Sequence, residues 1–435
     1  MQATAADDDA AQENTALTDF IHEENPASSR EWQALSGVAI AVAFVAFVTN
    51  LDLFLSVRGI LPLNTLVVFV AFSAVYLGMV LAAKGRQGFD LFLFGLRLNR
   101  VPFGLFALWI IAHVLASGRT VLSGNDVDFT QIFPVFQFVV LTFGLLVAVA
   151  DPGGRQISVA ARWAIVVLGG SVIFETIFPG ALGADTARTG GFALNANIPG
   201  FIIPALLALS LDFRRVRTVD LVVMLVSLVA VICTLSRMGI AMLALVIAVY
   251  GFFHVLRGGS EKKLRKLAFI ALLVVGLTLL AVGSLALLAS SGQVDGEFQA
   301  RIAVLLHGGD KVFNDPYRGP LLEYFVHLAS QHPWAGYGTG ATLMNAAASA
   351  PLHLGPHNVY VRTWVDTGFV GMALYLAFVA SIIGLGILRR SVSAVTIGTL
   401  VALYGGFSHN VTDNKAVLIL VGVTLGLSAM RERER

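Results

Sequence analysis

Apolar runs of membrane-spanning length recur along this chain, and they restrict its fold more than any other feature. A helix needs about 20 apolar residues to cross a bilayer. Within lipid, every backbone N–H and C=O must also be satisfied by the protein itself. Twelve runs are candidates: 34–50, 60–83, 101–118, 130–150, 159–178, 198–213, 218–235, 237–256, 267–289, 366–388, 393–408 and 415–430. Composition agrees. Of 435 residues, 57% are hydrophobic and 13% charged, and the charge density is about half that of a soluble domain. Mean hydropathy is +0.80. These values exclude an ordinary cytosolic enzyme. They also exclude a disordered chain, which requires low hydrophobicity and high net charge. The expected fold is an all-α polytopic membrane protein with about 12 transmembrane helices.

Charge placement tests that expectation. Lys and Arg accumulate on the cytoplasmic side of a membrane. With the N-terminus inside, twenty of the 29 Lys and Arg fall on that side and nine on the other. The bias alternates from loop to loop, so twelve spans with both termini cytoplasmic is self-consistent. Residues 1–33 read as a disordered acidic cytoplasmic tail, without the basic start and apolar middle of a cleavable signal peptide. Helices 1–9 occupy 34–289, a periplasmic loop subdomain 290–357, helices 10–12 358–430, and a second short cytoplasmic tail 431–435. The net charge of +2 gives no general attraction to nucleic acid. The single cysteine, Cys233, excludes an internal disulfide framework.

The loop 290–357 is long enough to be functional. It has helical patterns at Glu297–Leu306 and Arg318–Ser330, several aromatic residues, and five of the nine histidines. No metal site is expected from them, since none has H-E-x-x-H spacing. Asp126-Val127-Asp128 reads as a solvated loop more readily than a cation site. The chain also lacks a P-loop, a G-x-S-x-G elbow and a dinucleotide fingerprint.

The outward-facing basic residues are the exceptions to the bias. Arg188 stands in RTGGFALNAN, among glycines and asparagines that let a ligand approach the backbone. Arg237 stands in LSRMG, at the tight junction of two spans, and Arg301 and Arg318 lie in the long loop. Each could snorkel toward lipid headgroups. Alternatively, together they could grip a phosphate, for which the flat guanidinium fork is suited. His357 stands in GPHNVYVRTWVDTGFVG. Helical spacing puts His357, Val361, Trp364, Gly368 and Gly371 on one face. Gly368 and Gly371 would then allow close packing on a neighbour. His357 reads either as a capping or interfacial histidine or as a base, since an ordinary histidine pKa near 6.5 suits proton transfer at neutral pH.

The stretch His357-Asn358, nine residues, Gly368, two residues, Gly371 resembles the signature of the bacterial O-antigen ligases and the related O-antigen and exopolysaccharide polymerases. Three further segments agree in order. RTGGFALNAN resembles an Arg-x-x-Gly…Asn-x-Asn segment, with Ala196 where Pro is usual and Asn197 closing it. LSRMG resembles a Ser-Arg-Gly segment, and HPWAGYGTG a Pro-x-x-Gly-x-Gly segment. The resemblance implies a fold like the class C glycosyltransferases. It implies metal-independent transfer of a glycan from undecaprenyl diphosphate to an acceptor at the periplasmic face of the bacterial inner membrane, with no cofactor. The acceptor is lipid A core for a ligase and another lipid-linked glycan for a polymerase. By position, His357 takes the catalytic role and Arg188 and Arg237 the diphosphate. The third arginine is Arg318 or Arg301, with Arg318 preferred. Asn358, Gly368, Gly371 and Asn197 support the site.

The physics of the reaction fits those roles. A departing diphosphate gains charge that preorganised arginines can stabilise, and a sugar hydroxyl needs a base. Attack opposite the leaving group inverts the anomeric carbon. The rival from another class is a polysaccharide transporter, whose site should lie at the midplane between repeat-related, discontinuous helices. No such repeat is evident.

Overall fold

The computed structural model describes residues 26–122, 133–182, 189–212, 217–256, 318–348, 355–408 and 410–433, with the isolated positions Gly276, Gly283 and Leu287. Regular structure is entirely helical, with no strand among the described residues. In chain order the helices are α1 (Pro26–Ala43, continued by a π-helical stretch at Phe44–Val48), α2 (Leu51–Val57), α3 (Thr65–Leu98), α4 (Arg100–Leu122), α5 (Phe133–Ala150), α6 (Arg155–Ile177) and α7 (Asn197–Ser210). They continue with α8 (Thr218–Cys233), α9 (Arg237–Leu256), α10 (Arg318–Gln331), α11 (Ala341–Ala348), α12 (Val359–Leu388), α13 (Val392–Phe407) and α14 (Lys415–Arg433). Eleven of the twelve apolar runs fall on these helices. The run 267–289 lies outside the described residues, apart from its three isolated helical positions.

Among the described residues, six segments are long and apolar enough to cross a membrane: 31–48, α3, α4 up to Gly118, α5, α6 and α12. α7, α8, α9 and α13 are apolar but shorter. The protein is an all-α polytopic membrane protein. Two helices form its interior. α7 is buried from Pro199 to Ser210, and α14 from Ala416 to Met430. A helix that is apolar on every side belongs inside a bundle rather than at its surface. By contrast α3 exposes Val67, Val70, Val75, Leu77 and Leu81, as a lipid-facing helix would. Between α1, α3 and α5 an aromatic cluster fills the core, with Phe69 edge-on to Phe47, Phe136 and Phe143.

Two expectations change. Helix α1 starts at Pro26, so residues 26–33 are helical rather than part of a disordered tail. Proline is favoured at a first helical position, where its missing N–H would have no partner. Residues 1–25 lie outside the described residues. Second, residues 86–98 continue α3 beyond a break at Gly85 (φ 53°, ψ −138°). This stretch is amphipathic. Gly88, Leu91 and Gly95 are buried, while Arg86 and Asp90 form an exposed pair at 3.8 Å. Such a helix can lie along a membrane surface.

Polar networks close both ends of the bundle. At one end the buried Arg389 donates to Asn99 Oδ1 (2.6 Å) and Ser428 Oγ (3.1 Å) and pairs with Glu432 (2.7 Å). Arg162 pairs there with Asp220 (2.8 Å). At the other end Lys415 meets Asp52 at 2.7 Å, and Arg58 donates to the Leu182 carbonyl at 2.7 Å. Burial raises the Asp52 carboxyl above its ordinary range, although Lys415 pulls the other way. α9 runs from the Asp52 end toward the Arg389 end, and α10 resumes at the Asp52 end, where Phe325 packs on Val365 of α12. Of the candidate residues, the described His357, Asn358, Asn197 and Arg237 belong to the Asp52 end.

Candidate active site

His357 sits just ahead of α12. Asn358 caps that helix, its Oδ1 accepting the N–H groups of Tyr360 (2.9 Å) and Val361 (3.1 Å). This satisfies donors that a helix start leaves orphaned. Asn358 Nδ2 reaches the Gly406 carbonyl at 3.4 Å, and the Tyr360 hydroxyl donates to the Ala402 carbonyl at 2.7 Å. The cap is therefore fastened to the end of α13. His357 is half-buried and left-handed, at φ 49°.

The single helical face expected from His357 to Gly371 is absent, for two reasons. His357 precedes the cap, and α12 breaks at Gly368 (φ 73°, ψ −174°). Tyr360 and Tyr375 show the bend: their rings lie 5.8 Å apart, whereas fifteen residues of straight helix would span about 22 Å. At Gly371 the nearest neighbour is in the same helix. A Cβ there would fall 1.8 Å from Thr367 Oγ1, in the preceding turn of α12.

The break is filled by residues 332–340, the HPWAGYGTG segment. An interrupted helix leaves backbone groups unpaired, and within a membrane protein they must find partners. Here Tyr337 N–H donates to the Val365 carbonyl (2.8 Å), Gly338 N–H to that of Asp366 (3.0 Å), and Phe369 N–H to that of Pro333 (2.7 Å). Trp364 Nε1 also donates to Pro333 O at 3.0 Å. The contact is backbone on backbone. A Cβ on Gly368 would lie 2.3 Å from Trp334 C and O, and one on Gly336 (φ 62°) 2.6 Å from Gly368 N. Two motifs that the sequence places apart are thus one structural unit.

Buried polar side chains lock that unit to the bundle. Asp366 Oδ1 accepts from Thr342 N (2.9 Å) and Thr342 Oγ1 (2.7 Å) at the start of α11, a favourable place for a negative charge. Arg362 lies between Asp366 (3.8 Å) and Asp413, to which it donates directly. Gln137 of α5 donates to Asp413 as well, at 3.3 Å. His113 of α4 meets Thr339 Oγ1 through Nδ1 at 3.2 Å. The Thr339 hydroxyl spends its one proton on the His113 carbonyl (2.7 Å), so Nδ1 is the donor in that contact and Nε2 carries the lone pair.

A second cluster gathers the arginine segments. Thr189 Oγ1 donates to the Cys233 carbonyl at 2.7 Å, tying the residue after Arg188 to the turn before Arg237. That turn holds Leu235 in a left-handed conformation (φ 51°), and Ser236 Oγ accepts from Gly239 N–H at 3.2 Å. α9 thus begins at Arg237, which is exposed, and α7 begins at Asn197, which is half-buried. The two starts touch: a Cβ on Gly239 would lie 2.8 Å from Gly200 Cα. Helix N-termini carry partial positive charge and unpaired N–H groups, the requirements for an anion. Arg188 and Arg301 lie outside the described residues. Arg318 is the first residue of α10, and its side chain lies outside them too.

The outer end of α13 joins the clusters. Tyr404 stacks on Phe201 of α7, with ring centroids 4.7 Å apart. A Cβ on the next residue, Gly405, would touch Val359 and Tyr360 at 2.9 and 3.0 Å. The His357 cap and the Arg237–Asn197 junction therefore flank one helix end.

His113, Asp366, Asp413 and Glu175 went unnoticed as site-building residues in the sequence. For His113, Asp366 and Glu175 the available signal was a polar or charged residue within an apolar run; Asp413 falls between two runs.

The fold and its polar end define a helical membrane protein with a polar site built at one end of the bundle. Residues 222–376 match the family model described as O-antigen ligase. This segment includes Arg237, Arg318, His357 and Gly368, whereas Arg188 and Asn197 precede it. That segment, about a third of the chain, is similar to the O-antigen ligase and polymerase superfamily, whose members are membrane glycosyltransferase-like enzymes. Comparison with curated proteins gives no significant match.

Proposed function

We propose that the protein is an O-antigen ligase-type glycosyltransferase at the periplasmic face of the bacterial inner membrane. Its donor is a glycan on undecaprenyl diphosphate, and its acceptor is a hydroxyl of lipid A core. His357 takes the acceptor proton as the new C–O bond forms. The electron pair of the breaking sugar–phosphate bond leaves on the diphosphate, held by Arg188, Arg237 and an arginine from the long loop, Arg318 in preference to Arg301. Attack from the opposite face inverts the anomeric centre. The observation that carries this reading is the end of α13: the Asn358 cap beside His357 packs on it, as does Phe201 of α7, whose start touches that of the Arg237 helix.

Glycolipid gels of cells with and without the gene test it. Loss of every O-antigen band with accumulation of lipid-linked polymer is the expected result. Core carrying a single repeat would instead make the protein a polymerase, as would loss of secreted polysaccharide with intact lipopolysaccharide. The arginine assignment has its own test. Arg237→Ala is expected to weaken undecaprenyl diphosphate binding about tenfold or more, because a charge-assisted bidentate contact is lost. Arg237→Lys recovers part of it, keeping the charge but not the fork. Equal affinity in the wild type and Arg237→Ala would remove Arg237 from the donor site.

A further inference from the structure

Glu175 stands near the end of α6, with 2% of its surface exposed. Its Oε2 accepts two consecutive backbone N–H groups, those of Gly190 (2.9 Å) and Gly191 (2.7 Å). The same helix holds the residues on either side. Ser171 Oγ accepts from Phe192 N–H at 3.2 Å, and Thr176 Oγ1 meets Thr189 Oγ1 at 3.3 Å. Four consecutive residues, 189–192, thus hang from one face of α6. They lie between Arg188 and Asn197.

A carboxylate buried in a helical bundle is costly unless it is well bonded. The two amides explain the choice. A single oxygen that accepts two adjacent N–H groups fixes the plane and direction of the backbone between them, and therefore the path of the chain on either side. Hydrogen bonds to a charged acceptor are also among the stronger ones.

We propose that Glu175 is a positioning residue: by holding the Gly190 and Gly191 amides it sets where the segment between Arg188 and Asn197 stands, and so governs affinity for the donor diphosphate without touching the reacting atoms. This rests on the reading of that segment as the donor site.

The test uses the full chain in lipid nanodiscs, with undecaprenyl diphosphate as probe and hydrogen–deuterium exchange at residues 189–192 as a readout independent of activity. Glu175→Leu should raise exchange there and weaken binding about tenfold or more, while turnover at saturating donor stays near that of the wild type. Glu175→Gln, whose amide oxygen can accept both N–H groups, should restore the slow exchange and most of the affinity. If Glu175→Leu binds the lipid as the wild type does, the positioning role is overturned. If Glu175→Gln is as weak as Glu175→Leu, charge rather than anchoring is at work, and the proposal also fails. If the wild type does not bind the lipid, the donor reading itself fails and the proposal falls with it.

Discussion

Replacing His357 with asparagine is expected to leave folded protein at normal abundance and to lower glycan transfer by roughly 10²–10⁴-fold, the range for a lost general base. Asparagine is the informative substitution because of the backbone. His357 is left-handed, at φ 49°, a conformation asparagine adopts readily. Histidine and asparagine are both enriched in that region and alanine is not, so a loss in His357→Ala mixes backbone strain with chemistry. The assay is transfer from a lipid-linked donor in proteoliposomes, with donor binding measured on the same preparation. Binding should persist in His357→Asn if, as proposed, the arginines and not the histidine hold the diphosphate. Transfer at the wild-type rate in His357→Asn would end the case for a base at this position.

The second large effect is on structure. Gly368→Ala should destabilise the protein by roughly 3 kcal/mol or more, combining left-handed strain with overpacking. The added Cβ would lie 2.3 Å from Trp334 backbone atoms and 2.4 Å from Ala335 N, and no side-chain rotation can relieve contact with backbone. Residues 332–340 would be forced from the break, leaving the carbonyls of Val365 and Asp366 without Tyr337 and Gly338. Gly384→Ala is the control in the same helix. It meets nothing within 4 Å, and alanine there favours helix by about 0.5–1 kcal/mol. Thermal unfolding in detergent, together with protease cleavage near residue 335, should separate the two. Gly368→Ala as stable as Gly384→Ala would mean that the 332–340 segment does not depend on the break.

Much of this was legible in the sequence, because membrane helices follow from length and apolarity alone. The runs at 101–118 and 415–430 needed no partner to be recognised. The cap was read one residue early, as a possible role of His357, whereas Asn358 makes it. The break at Gly368 was not legible. A glycine at helical spacing from Val361 and Trp364 looks like part of a continuous face, and only residues 333–338, some thirty positions earlier, reveal that the helix stops to receive them. Asp366 was hidden for the same reason, its partner Thr342 lying 24 residues away. Glu175 is a different case. Its charge was visible near the end of a span, but its two amide partners belong to a segment whose path the sequence did not reveal.

The burial of α14 has a consequence for biogenesis. Its residues Ala416–Met430 are enclosed by helices that leave the ribosome earlier. α5, which packs along it, is synthesised more than 250 residues before it. Until α14 inserts, those helices surround a groove without its occupant, and their close-packed interior cannot form. The centre of this bundle is therefore filled after the helices around it, by a hydrophobic segment that must pass between helices already in the bilayer. The slow step in making the active protein should lie after insertion of those earlier spans, in their opening to admit α14.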